Sequence, residues 1–122
     1  MWKIKQSVLL NAILAANNFL PEEFVCLLGG DKKKNEVSEI VFVPSETSED
    51  SASINTLSIP FDETIVGSLH SHPFTSGTAS EEDKRFFGKY SLNIILGHPY
   101  TIENAQFFDE KGNRTQILIL EG

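Results

Sequence analysis

A chain of 122 residues, 40% hydrophobic and 22% charged, has the size and balance of one globular domain with a single core. Its net charge of -7, from 10 basic and 17 acidic residues, argues against nucleic acid and against an anionic membrane surface, both of which recruit Lys and Arg. No apolar run is long enough to span a bilayer, the first residues do not read as a signal peptide, and one cysteine cannot form an internal disulfide; the sequence therefore predicts a cytoplasmic protein.

In chain order, Ile4, Val8, Leu9, Ala12, Ile13 and Ala16 recur at helical spacing and predict an amphipathic helix that ends near Asn17, Asn18 and Pro21. Trp2 is expected to anchor that helix on a sheet. The apolar run 24–28 reads as a central strand, and Cys26 within it as a small buried hydrophobe. Residues 29–35 form a turn whose three lysines are solvated, and 37–43 return as a second strand. Residues 44–51 are polar and acidic, the pattern of an idle loop or of a flap beside a substrate groove. Residues 53–59 have moderate strand character, and 65–72 form a buried strand. A short helix is expected from Ser80 to about Phe87, stopped by Gly88. Residues 92–96 are another strand, and 106–108 with 115–120 a C-terminal hairpin. Strands outnumber the helices that flank them, which implies an α+β fold with a mixed, largely antiparallel sheet in one domain, residues 1–122.

Chemistry concentrates after the strand 65–72. On a strand, residues two apart point the same way, so His70 and His72 project from one face while Ser71 turns away. Pro73 ends the strand. Small residues from Thr75 to Ala79 then swing the chain to Ser80, where a helix begins with Asp83 in its first turn. Ser80-x-x-Asp83 is also close to a helix-capping box, and capping is compatible with a site because a helix start holds both side chains rigidly. Two imidazoles and a carboxylate can converge on one point, leaving a fourth position open, as in catalytic zinc sites.

The spacing His-x-His-Pro-x6-Ser-x2-Asp resembles the signature of the JAMM (MPN-plus) zinc isopeptidases, and the resemblance extends over nearly the whole chain. The segment from Pro21 to Gly30 is similar to the family's first strand, which opens with a catalytic Glu and ends in Gly seven residues later; Glu23 and Gly30 have that spacing. Ala79 and Cys26 depart from the pattern, both with small side chains. The short archaeal and bacterial members match best. The resemblance implies an α/β/α sandwich of cytidine-deaminase-like architecture, with one catalytic zinc held by His70, His72 and Asp83. His98, after a different strand, falls outside the pattern and is expected to be a loop residue.

Zinc makes hydroxide available by lowering the pKa of water toward roughly 7. Glu23 is then the candidate general base and acid. Ser80 is the candidate donor to the oxyanion, and Ser71 supports the site from behind. There is no Gly-x-Ser-x-Gly elbow for a serine nucleophile, and the Pro-Cys-x-x-Cys half of a zinc deaminase is missing. The implied reaction is hydrolysis of the amide bond after the C-terminal Gly-Gly of a ubiquitin-like modifier, with Gly67 and residues 73–79 as plausible neighbours of that tail. Two alternatives stay open: a peptidase releasing an amino acid from a ubiquitin-like sulfur-carrier protein, and a non-catalytic MPN-type binding module.

Overall fold

The chain opens on a strand rather than on the helix its periodicity suggests. In the computed structural model, which describes residues 1–42, 45–47, 52–54, 63–73 and 88–122, β1 spans Trp2–Lys5 and α1 spans Gln6–Phe19. Ile4 is fully buried on β1, and Trp2, in the sheet opposite Ile117, packs against the core cluster that contains the buried stripe of the helix. A four-residue strand running straight into a helix blends into the helical apolar pattern, which explains the difference. Val8, Leu9, Ala12 and Ala16 form the buried stripe of α1. The helix has no side-chain cap; the Ser7 N–H donates instead to the Gly122 carbonyl.

The remaining strands follow in order: β2 (Val25–Asp31), β3 (Glu36–Val41), β4 (Ser45–Thr47), β5 (Ala52–Ile54), β6 (Ile65–His72), β7 (Leu92–Gly97), β8 (Ala105–Phe108) and β9 (Ile117–Leu120). Seven of them form one sheet in the order β8-β7-β6-β2-β3-β1-β9. β2 and β3 are the expected hairpin, closed by a turn in which the Asp31 carboxylate accepts from the Lys33 and Lys34 N–H groups. Gly30 sits at a register shift in this hairpin, where a Cβ would collide with the Glu36 carbonyl. β4 and β5 pair as a separate two-stranded ribbon, so part of the 44–51 stretch is strand, not loop.

The sheet is mixed, as expected: β1·β3, β1·β9 and β6·β7 are parallel, while β2·β3, β2·β6 and β7·β8 are antiparallel. One expectation needs correcting: the C-terminal hairpin forms only at its turn, where the Asp109 N–H donates to the Asn113 carbonyl and the Thr115 N–H to the Phe107 carbonyl. After the Asp109 turn, β8 meets only an isolated bridge from Phe108 to Arg114. β9 crosses to the opposite edge and pairs with β1.

The core lies between α1 and one face of the sheet. It joins Leu9, Ala12 and Ala16 to Phe24, Cys26, Leu28, Leu69, Ile94 and Leu96. The other face carries a separate cluster of Val25 and Leu27 with Val41, Ile65 and Tyr90 packed against it. The helix expected from Ser80 to Phe87, the second layer of an α/β/α sandwich, lies outside the described residues. Among the described residues no helix is long and apolar enough to cross a membrane.

Candidate metal-binding active site

β6 is the strand to which the sequence assigns the chemistry, and its two neighbours in the sheet run in opposite senses. It pairs antiparallel with β2 on one side and parallel with β7 on the other. The carboxyl ends of the two parallel strands, at His72 and Gly97, open at the same end of the sheet, where loops can converge without crossing it. Pro73 follows as a turn residue and ends the pairing.

His70 and His72 lie on one face of β6, with ring centroids 5.3 Å apart and ring planes inclined by 35°. Both are buried, at 6% and 9% exposure, although histidine is usually only partly enclosed. Two imidazoles sharing a tetrahedral ion, with metal–nitrogen bonds of about 2.0–2.1 Å, place their centroids roughly 5 Å apart. The observed pair fits that donor set, and the His70 Nε2 atom is fully buried. Among the described residues no group of three His, Cys, Asp or Glu side chains is assembled around one point. The expected third ligand, Asp83, and the expected oxyanion donor, Ser80, both lie outside the described residues.

Ser71, facing away from the histidines, is tied to β2 by two hydrogen bonds. Its hydroxyl accepts from the Phe24 N–H at 2.8 Å, and its own N–H donates to the Phe24 carbonyl at 2.9 Å. This continues the β2–β6 ladder one residue past the Val25–His70 pair. Glu23 is therefore the first residue beyond the pairing, half-buried, at the end of the sheet where His72 stands. Phe24 itself is fixed in the core by an edge-on contact with Phe19 at 5.0 Å.

Behind the histidine pair lies a second buried polar group. The Ser68 hydroxyl donates to the Asn93 side-chain oxygen at 2.6 Å, and the Asn93 amide donates to the Tyr90 carbonyl at 3.1 Å and the Asp109 carbonyl at 3.4 Å. Both side chains are fully buried. The sequence carries a signal for them: each is a lone polar residue inside an apolar strand run, and Ser68 has the same parity as the histidines.

Tyr100 has no such signal. It is 6% exposed, packs in the core cluster, and meets the His98 ring edge-on at 5.6 Å. Burial raises its phenol above the ordinary range; the nearby Ser71 hydroxyl pulls the other way, and the Glu23 carboxylate raises it further. Its oxygen is buried without a hydrogen bond of good geometry. His98 is exposed in the loop after β7, as expected. Gly67, by contrast, is not at the site. It is buried within the sheet, where a Cβ would lie 2.6 Å from the Leu92 carbonyl, so its lack of a side chain serves strand packing.

Comparison with known proteins gives a consistent picture. The model of the prokaryotic homologs of the JAB domain matches residues 5–109. A probable metalloprotease from Haloferax volcanii is 29% identical over 119 residues, covering 90% of this chain and 74% of that protein. Among solved structures, one described as JAMM, a metalloprotease-like zinc site in the proteasome and signalosome, superposes with a TM-score of 0.78 at 27% identity over 99% of both chains. A JAB1/MPN domain protein from Archaeoglobus fulgidus gives 0.77 at 28% identity, over 98% of this chain and 99% of that one. With a site-bearing strand of this form in a mixed sheet of this topology, and a family match over most of its length, the chain belongs to the prokaryotic JAB-domain family, a branch of the JAMM proteins.

Proposed function

We propose that this protein is a zinc-dependent peptidase that hydrolyses the amide bond after the C-terminal Gly-Gly of a ubiquitin-like modifier, freeing a lysine side chain or a small amine. His70, His72 and Asp83 hold the ion. When bound, zinc supplies a Lewis acid and a water acidic enough to be used at neutral pH. Glu23 takes the proton of the attacking water and returns it to the leaving amine. The Ser80 hydroxyl donates to the oxygen on which negative charge develops.

The observation that carries this reading is the buried His70–His72 pair, on a strand tied through Ser71 to the residue next to Glu23. Membership of the family and the likeness to a probable metalloprotease support it. Sheet geometry also bears on the substrate. Both sides of β6 are already paired, so an extended tail cannot add along its length and meets the sheet only past His72 and Gly97.

The test uses purified protein, fusions of candidate ubiquitin-like proteins and a chelator. Cleavage leaving a new C-terminus at the diglycine is expected, lost on chelation and restored by zinc. Asp83→Ala should lose the metal, and Glu23→Ala should keep it while losing cleavage. Turnover that survives full removal of metal would refute the assignment. So would binding of every fusion without cleavage by the zinc-loaded protein.

A further inference from the structure

No residue from Gln6 to Leu20 is charged, although 22% of the chain is. Helix α1 lies within this stretch. One side of it belongs to the core, through Val8, Leu9, Ala12 and Ala16. The other side is exposed and consists of Ser7, Leu10, Asn11, Leu14, Asn17 and Asn18. At its centre stand Leu10 and Leu14, four residues apart and so on one face, 47% and 61% exposed. A surface helix ordinarily turns charged side chains to water. This one presents two leucines framed by amides and a hydroxyl, and the absence of charge is what marks the centre of an interface.

Charge and position narrow what can cover this face. A net charge of -7 makes two copies repel across most of their surfaces, and a stretch without charge is where they can meet. A lipid surface is a poor fit, because helices that lie on anionic membranes carry Lys and Arg on their polar side. A substrate approaching the histidines comes to the other face of the sheet: Leu69 packs toward α1, and His70 turns away from it.

We propose that α1 is a self-association surface, the outer faces of two copies packing antiparallel about a two-fold axis with each Leu10 against the Leu14 of the other. A two-fold contact uses the same patch on both copies, and a pair of leucines disposed about the helix centre meets that requirement. The antiparallel arrangement opposes the two helix dipoles and sets the Lys5 end of each helix beside the Glu22 end of the other. Fourteen residues make a helix about 21 Å long and about 10 Å across, so the contact covers about 300–400 Å² of each copy, near half of the roughly 800 Å² of a standard interface. The dimer is therefore reversible, with a Kd of about 10–100 μM, and the histidine faces of both copies point away from the contact.

Sedimentation velocity of the full chain, at concentrations spanning that range, reads the association directly. The sedimentation coefficient should rise from the monomer toward the dimer value. Leu10→Glu combined with Leu14→Glu should weaken association more than about tenfold, because it brings carboxylates of both copies together, and should leave the melting curve of the dilute protein unchanged. A parent that stays monomeric, or a variant that associates as the parent does, overturns the proposal. Orientation is read from two further variants. An equal mixture of Ser7→Cys and Asn17→Cys, mildly oxidised, should give more disulfide-linked dimer than either alone. Ser7→Cys joining preferentially to itself would mean a parallel pairing and overturns the proposal. Should the double glutamate variant fail to fold, amide NMR spectra of the parent over the same concentrations should move at Leu10, Asn11, Leu14 and Asn18; movement confined to another surface overturns the proposal. None of these measurements depends on the assigned reaction.

Discussion

The two faces of β6 are built to different ends. Toward α1, Leu69 joins Leu9, Ala12 and Cys26 in a close-packed apolar layer. On the opposite face, Ser68, His70 and His72 are nearly as inaccessible, yet every one of them is polar. Burying polar groups costs free energy unless their partners are supplied, and an apolar strand would stabilise the sheet better. Consecutive residues of one strand thus separate stability from chemistry, and Ser71 joins the two by facing the core while holding the segment that carries Glu23.

Substitutions on opposite faces should therefore fail in opposite ways. His70→Ala or His72→Ala should lower zinc affinity by more than the roughly 100-fold that loss of an outer partner costs, and abolish cleavage, with little change in the unfolding midpoint of the metal-free protein. Metal analysis after dialysis checks this. Glu23→Gln should keep the metal and lower kcat about 10²–10⁴-fold. Leu69→Ala, one residue from His70, should do the reverse. It should lose about 2–5 kcal/mol in denaturant unfolding while residual folded protein still binds zinc. Ser71→Ala should fall between, costing about 1–3 kcal/mol because the Phe24 N–H is left buried without an acceptor, and lowering activity as well. A purely catalytic or purely structural outcome for Ser71 would break the comparison.

The smallest effect belongs to Cys26, on the core face. Burial pushes its thiol from an ordinary 9.0 up to about 12. The unfolded chain gives up that proton first. Stability linked to it is whole below pH 9 and declines as pH rises through about 12. At pH 8 the thiol should resist disulfide reagents in the folded protein and react promptly in denaturant; rapid labelling of the native state would show the core face to be open.

How much of this could be read from residue order differs along the chain. The strand 65–72, the shared face of the two histidines and the β2–β3 hairpin follow from alternation and turn chemistry, which act over a few residues. Pairing partners do not. Nothing local tells Ile117–Leu120 to cross to β1 rather than fold back on β8, and nothing local distinguishes Ile4 on a short strand from Ile4 on the helix that follows. The shared face of the two strand histidines was legible for the same reason as the strand itself. The burial of Tyr100 was not, because it follows β7 in a turn-rich segment and enters the core only when the sheet and α1 come together. Ser80 and Asp83 stand on motif spacing alone.

The double tie between Ser71 and Phe24 lies wholly inside the sheet. The backbone next to Glu23 is accordingly referenced to the histidine strand by bonds internal to the sheet. A protein engineer seeking new selectivity would leave β2 and β6 untouched and work elsewhere on the molecule.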